Sequence, residues 1–331
     1  MLSGPFPCEQ AVCIAVGQMN SRAYVHTPVL LHEVIQNLGI KPAGFYIDCT
    51  FGRGGHSQAI MEHLDQNGRL FAIDKDPHAL KNVDKKLASD PRFSLGHGSY
   101  AHLEKIVSEK YSLHSADGIL FDLGVSSPQL DDPERGFSFQ HDGELDMRMD
   151  NSTGITAADW LLQARESEIA DILRTFGEER FARRIARAII HYRSGQRITS
   201  TRQLADIVSA AIPVKEKHKH PATRTFQALR ILINRELDEL QQALQQTLNV
   251  LTVGGRLLVI SFHSLEDRIV KRFMREKARG DDYPPEVPVA RSQLKPQLKI
   301  IGKAIHPGEK EIRNNPRSRS AVLRVAERLA T

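Results

Sequence analysis

Three glycines fall within four residues of the stretch "YIDCTFGRGGHS", residues 46–57: Gly52, Gly54 and Gly55. Such a turn bends the backbone sharply and lets a ligand approach where a Cβ would collide. Acidic residues stand where neighbouring apolar runs end, with Asp48 before the turn, Asp74 closing "GRLFAID" and Asp122 closing "DGILFDLG". A dinucleotide, a nucleoside triphosphate or a sulfonium nucleoside would each suit a glycine turn. The dinucleotide fingerprint needs a third glycine where this chain has Ser57, and a P-loop needs Lys followed by Ser or Thr where it has His56-Ser57. What remains is a ligand with ribose hydroxyls to grip and no phosphate to neutralise. Asp74, twenty residues after Gly54, is placed to accept both ribose hydroxyls. Carboxylates at this position suit the positive charge of S-adenosylmethionine better than the pyrophosphate of NAD. The expected ligand is a methyl donor.

The elements that must position these residues alternate in type. "GFYIDCT", "GRLFAID", "FSLGHGS" and "DGILFDLG" are short apolar runs, and "HSQAIMEHL" and "DPHALKNVDKKL" between them carry helical patterns. That rhythm predicts an α/β fold, a mostly parallel twisted sheet with helices on both faces and ligands at the carboxyl ends of its strands. Residues 125–155 read as a long polar loop, and helical patterns follow over 156–176, 178–193 and 201–212, as an inserted helical domain would. One long helix is expected over about 223–251, where Phe226, Leu229, Ile233, Leu237, Leu240, Leu244 and Leu248 step by three or four. "GGRLLVISFHS" returns to strand, and "QLKIIGKAI" and "SAVLRVAERL" finish the sheet, with basic turns between them.

The net charge is only +5, but residues 180–235 hold thirteen Lys or Arg against two acids, leaving −6 for the rest of the chain. A polyanion docking on one part of the molecule would fit this division. Cys8, Cys13 and Cys49 form neither a metal spacing nor a disulfide framework, so reduced thiols and a cytoplasmic location are expected, with no metal and no membrane span. Residues 1–25 read as an extension without order.

"HTPVLLHEV", "YIDCTFGRGGHS", "DGILFDLGVSSPQLDDPERGFSF", "LDMRMD", "GEERFARRIARAI", "KHPATRTFQALRILIN", "GGRLLVISFHSLEDRIVKRFM" and "NPRSRSAVLRVAER" together resemble the bacterial ribosomal RNA small-subunit methyltransferase H family, also called MraW. The resemblance runs from about His26 to Arg328. It implies a Rossmann-like S-adenosylmethionine-dependent methyltransferase with an inserted helical domain, acting on N4 of a cytosine in the decoding region of 16S rRNA. Matched by segment, it assigns the cofactor to Gly54, Gly55, His56, Asp74, Tyr100, Asp122 and Gln129, with Tyr100 in a position able to stack on adenine. The implied organisation is a methyltransferase domain over 26–130 and 223–331, with a mainly helical substrate-binding domain over 131–222. The implied partner is 16S rRNA within the small ribosomal subunit, and the protein itself is a monomer or homodimer.

An exocyclic amine needs positioning and hydrogen-bond acceptors for its N–H groups, not attack by a cysteine. "DLGVSSPQ" resembles a degenerate Asp/Ser-Pro-Pro-aromatic motif of DNA amino-methyltransferases, so Asp122, Ser126, Ser127 and Pro128 are the candidates for holding the amine. Gln129 stands where that motif has its aromatic, which leaves Phe137 or Phe139 to stack on a flipped base. Arg183, Arg184, Arg187, Lys215, Lys217, Lys219 and Arg224 suit phosphate contacts on folded RNA. His263 reads as a structural histidine or a proton acceptor, and Asp146 with Arg148 as a loop anchor or a substrate contact. The alternatives are a DNA amino-methyltransferase, a non-catalytic RNA-binding protein on the same fold and, less favoured, an NAD-dependent oxidoreductase.

Overall fold

The computed structural model describes residues 28–214, 220–280 and 294–330. Residues 1–25, Lys215, Lys217 and Lys219 therefore lie outside the described residues. Seven strands among the described residues form one sheet: β1 (Phe45–Asp48), β2 (Arg69–Asp74), β3 (Phe93–His97), β4 (Ala116–Asp122), β5 (Leu251–Ser261), β6 (Leu298–Ile305) and β7 (Val322–Arg328). Their order is β3-β2-β1-β4-β5-β7-β6; β1 to β5 run parallel, and β7 is antiparallel to both β5 and β6. Between β1 and β4 the order reverses, and ligands bind at the carboxyl ends beside such a switch point.

The central strands are buried on both faces, which is why they read as unbroken apolar runs. Their side chains alternate between two cores. Ile47, Phe71, Ile73, Ile119, Phe121, Leu257 and Val259 face α5 (Leu103–Ser108), α12 (Glu236–Val250) and α13 (Ser264–Arg279). Tyr46, Leu70, Ala72, Leu120, Leu258 and Ile260 face α1 (Leu31–Leu38) and α2 (Gly55–Met61). The short α3 (Pro77–Lys81) and α4 (Lys85–Ala88) connect β2 to β3, and α14 (Glu309–Asn314) lies between β6 and β7.

A third core is mainly helical. It gathers α7 (Ala157–Gln163), α8 (Glu166–Thr175), α9 (Ala182–Arg193), α10 (Thr201–Ala211) and α11 (Thr223–Asn234) around Leu161, Ile169, Ile185, Ile189, Leu204 and Val208. Phe226, Ala228 and Leu229 of α11 belong to this core, so the helical layer continues past residue 222. Two expected helices are each two. The pattern over 156–176 breaks at Ala164 and Arg165, both extended. The run over 223–251 breaks at Arg235, whose φ of 54° is left-handed. The apolar spacing carries through that break unchanged, but α11 buries its stripe in the helical core and α12 buries Leu240, Leu244 and Leu248 on the sheet. Leu251 already belongs to β5.

The polar stretch after β4 is also more ordered than a loop. It opens with α6 (Ser127–Asp131) and a 3-10 turn over Pro133–Arg135. Asp146 then grips Arg148 through two bonds, Nε to Oδ1 at 2.8 Å and Nη2 to Oδ2 at 2.7 Å, with Met147 buried between them. The loop-anchor reading of this pair is the one the structure shows. Buried Asn234 at the end of α11 clamps the same segment: its amide donates to Met147 O at 2.7 Å and its Oδ1 accepts from Met149 N at 2.7 Å. Met147 holds a φ of 64°, rare for a side chain of its size. Asn234→Ala is expected to cost about 2 kcal/mol, by leaving buried backbone groups unpaired. Chemical denaturation measures the loss, and hydrogen exchange should show the amides of 147–150 opening first.

Candidate functional site

The crevice is built where β1, β2 and β4 end. Asp48, almost wholly buried, accepts from Ser57 Oγ at 2.7 Å and from Thr50 N at 3.1 Å. Thr50 Oγ1 in turn accepts from Asp122 N at 2.7 Å, which joins the ends of β1 and β4. Asp74 takes one backbone N–H on each oxygen, Gly52 on Oδ2 and Asp76 on Oδ1, both at 2.7 Å. Burial nevertheless pushes the Asp74 carboxyl up to about 6, against the pull of those two N–H groups.

The glycines divide into two kinds. A Cβ on Gly54 would lie 2.6 Å from Phe51 Cζ, and one on Gly55 would lie 2.4 Å from Pro28 Cγ. Close packing therefore already requires both. Gly52 differs: at φ 55° a Cβ would make only ordinary contacts, with Ser126 Cβ and Thr50 O both at 3.9 Å, so its left-handed backbone rather than crowding favours glycine.

His56 and Asp122 face each other there, with Nε2 and Oδ2 3.5 Å apart but not hydrogen-bonded. Neither ring nitrogen of buried His56 has a hydrogen-bond partner, and neither does Asp122 Oδ1. Buried polar atoms are ordinarily paired, so this trio calls for a ligand. The surroundings fit S-adenosylmethionine. Each Asp74 oxygen keeps a lone pair for a ribose hydroxyl, and Asp122 offers negative charge to a cationic group.

Other expected residues have structural partners. Gln129 is buried; its Oε1 accepts from Ser126 N at 2.8 Å and its Nε2 donates to Asp76 Oδ2 at 2.8 Å. Asp76 Oδ2 also accepts from Arg135 Nη1 at 2.8 Å, and Arg135 Nη2 donates to the carbonyls of Arg148 and Met149. Gln129 thus caps α6 and ties it to the end of β2. Tyr100 sets its ring edge-on to Phe121 at 5.5 Å, and burial together with nearby Glu236, Glu239 and Glu266 raises its phenol above the ordinary range. Ser126, Ser127 and Pro128 are partly exposed on the crevice lip, beside Asp122.

Neither expected stacking ring is open to a base. Phe137 is buried under the Arg135 guanidinium, and Phe139 stacks on His220 at 4.4 Å and meets Phe226 edge-on. His263 caps α13: its Nδ1 accepts from Glu266 N at 3.4 Å, and its Nε2 lies 3.2 Å from Glu266 Oε1. Both nitrogens thus face Glu266, which favours the structural reading of this histidine. Glu236, His263 and Glu266 bring ligand atoms within 4.8 Å of one another, but Arg230 already donates to both Glu236 oxygens at 2.8 Å. A partly buried cation of the protein's own answers that cluster.

Among the basic residues, Arg183, Arg184 and Arg187 are exposed along α9, and Arg224 faces buried Glu179 at 4.0 Å. Sequence reading missed Asp76, Arg135, Asn234 and Arg230. Only "DPER", an acid and a proline opening a turn, hinted at any of them.

The profile of the MraW methylase family matches residues 23–329. Among solved structures, an rRNA methylase from Streptococcus thermophilus is 12% identical over 91% of this chain and 93% of its own, with a TM-score of 0.39. TrmN from Thermus thermophilus is 10% identical over 91% of this chain and 48% of its own, with a TM-score of 0.41. Fibrillarin from Aeropyrum pernix, solved with natively bound S-adenosyl-L-methionine, is 10% identical over 88% and 71%, with a TM-score of 0.34.

The two kinds of glycine should behave differently. Gly54→Ala and Gly55→Ala are expected to lose about 1–3 kcal/mol of stability through overpacking. Gly52→Ala should lose only about 1 kcal/mol for its left-handed backbone, while the strain it puts on the Gly52 N–H that holds Asp74 weakens ligand binding. Thermal melts with and without S-adenosylmethionine separate the two effects.

Proposed function

This chain belongs to the MraW methylase family and is an S-adenosylmethionine-dependent methyltransferase, and we propose that it methylates the exocyclic N4 of a cytidine in the decoding region of 16S rRNA, within the small ribosomal subunit. The observation that carries this reading is the unpaired set of His56 and Asp122 polar atoms beside Ser126-Ser127-Pro128, on a chain that the family profile matches almost end to end. The cofactor supplies an electrophilic methyl group. Asp74 accepts the ribose hydroxyls, the Gly52–His56 turn forms the wall beneath the cofactor, Tyr100 and Gln129 shape the adenosine side, and Asp122 faces the reacting end.

The amine's lone pair is delocalised into the cytosine ring, so the protein's task is to localise it. Acceptors at Asp122, Ser126, Ser127 and the Pro128 region take the amine's N–H groups and hold its nitrogen in line for transfer. The partly exposed ring of Phe262, which approaches Gly124 after β4, is the aromatic surface left for the base once Phe137 and Phe139 are engaged. Exposed Arg183, Arg184 and Arg187 on α9 serve the RNA backbone, and Arg224, Lys215, Lys217 and Lys219 extend that surface along the sequence. A cytoplasmic location fits this substrate; among the described residues no helix is long and apolar enough to cross a membrane.

Transfer of labelled methyl to unmodified small ribosomal subunits, with free rRNA and DNA in parallel, tests the substrate. N4-methylcytidine in the ribosomal samples and its loss in Asp122→Ala are expected; label in DNA would put the DNA amino-methyltransferase first.

Asp74 adds a pH signature. Its folded value of about 6 lies above the ordinary carboxyl value, so the free protein is favoured with Asp74 protonated. That contribution is complete below pH ~4 and lost as pH rises through about 6. Ribose hydroxyls need the ionised carboxylate as acceptor, so affinity for S-adenosylmethionine should be level above pH ~7 and fall about tenfold by pH ~5. Titration calorimetry on the wild type and Asp74→Asn checks this, and an equal pH slope in the variant would remove Asp74 from the ribose site.

A further inference from the structure

The segment "NPRSRS" remains without a role, and it stands at the crevice. Pro316–Ser320 forms a 3-10 turn, fixed from beneath by fully buried Ser318, whose Oγ donates to Asn315 O at 2.8 Å. Ala321, also fully buried, donates its N–H to Ser318 O at 2.8 Å. Arg317 and Arg319 flank Ser318 and are exposed. Val322, the next residue but one after the turn, pairs with Ser261 at the carboxyl end of β5. The turn therefore lies at the same end of the sheet as Asp122. Ala321 and Leu323 pack into the core on the α1 and α2 face, whereas Ser264 and Arg268 of α13, on the other face, bind Glu178 of the helical layer at 2.8 and 3.0 Å. The turn and the contact between α13 and the helical layer thus lie on opposite faces of the sheet.

Arg317 points at the site's own machinery. Its Nη2 donates to Asp131 Oδ1 at 2.6 Å, and Asp131 ends α6, the helix that begins with Ser127 and Pro128. The two side chains are 46% and 59% exposed, so the pair adds little to stability and leaves most of the guanidinium donors facing water. Arg319 has no carboxylate within ion-pair distance among the described residues. The neighbouring acids of α14 are otherwise engaged: Glu311 accepts from Leu30 N at 2.8 Å, and Glu309 lies 3.8 Å from Arg313.

We infer that the Pro316–Ser320 turn is a second phosphate-binding surface for the substrate RNA, with Arg319 and Arg317 holding the backbone on the α1 and α2 side of the crevice. The inference rests on the RNA reading above. Taking a base out of its stack costs unstacking energy, and phosphate contacts fix the register of the strand from which it leaves, so basic groups at the crevice on a second face add to any contacts that α9 makes.

Binding of the full-length protein to unmodified small ribosomal subunits, followed across a series of KCl concentrations, tests it. Arg319→Gln is expected to weaken binding about threefold to tenfold and to lower the slope of log affinity against log salt by about 1, with melting temperature and affinity for S-adenosylmethionine unchanged. Arg317→Gln should weaken binding, while Asp131→Asn, which frees the guanidinium and removes a negative charge, should tighten it. If Arg317 were only a brace, the two would act alike, both lowering the melting temperature and leaving the salt slope intact; that result overturns the inference. Wild-type binding with unchanged variants overturns it too. Failure of the unaltered protein to bind or methylate the subunits would instead overturn the RNA reading.

Discussion

Asp48 has almost no contact with solvent, yet it is a carboxylate, and its burial is tolerable only because Ser57 and Thr50 bring donors to it. Those two bonds fold the chain back after β1 so that the turn, the first residues of α2 and the end of β4 come together. Thr50 spans the gap, with its backbone N–H on Asp48 and its hydroxyl accepting from Asp122 N. Asp74 then sets the height of the turn by holding Gly52 N. Local carboxylate bonds, more than glycine flexibility, give the crevice its shape.

The sheet could be read from the sequence because its central strands are buried on both faces, and a doubly buried strand is a continuous apolar run. Asp48, Asp74 and Asp122 marked the strand ends for the same reason, as the first polar residues after each run. Helix boundaries were harder. The apolar spacing of 223–251 passes through Arg235 without interruption, because the two halves bury equivalent stripes in different cores. A periodic pattern reports that a face is buried, not which neighbour buries it.

The glycine turn shows the same limit at the site. Three glycines together read as a ligand cradle, but two of them answer to Phe51 and to Pro28, a residue distant in sequence. Gln129, assigned to the cofactor by resemblance and standing where the DNA-enzyme motif has its aromatic, also donates to Asp76, fifty-three residues away. The Asp76–Gln129–Arg135 cluster has no local signature, since each member is meaningful only once β2 and α6 are adjacent. The pairing of Asp146 with Arg148, by contrast, was visible as a possibility because both partners lie in one short segment.

Asn234 sits where the chain returns from the helical layer to the sheet. Its side chain fastens Met147 and Met149 on the outgoing segment, and its own carbonyl accepts from Lys75 Nζ at 3.0 Å, just beyond β2. Outgoing and returning segments are thereby riveted to each other and to the sheet at a single residue. The outgoing chain, the returning chain and the end of β2 therefore share one anchoring point. Removing that one amide would loosen both passages of the chain between the helical layer and the sheet at once.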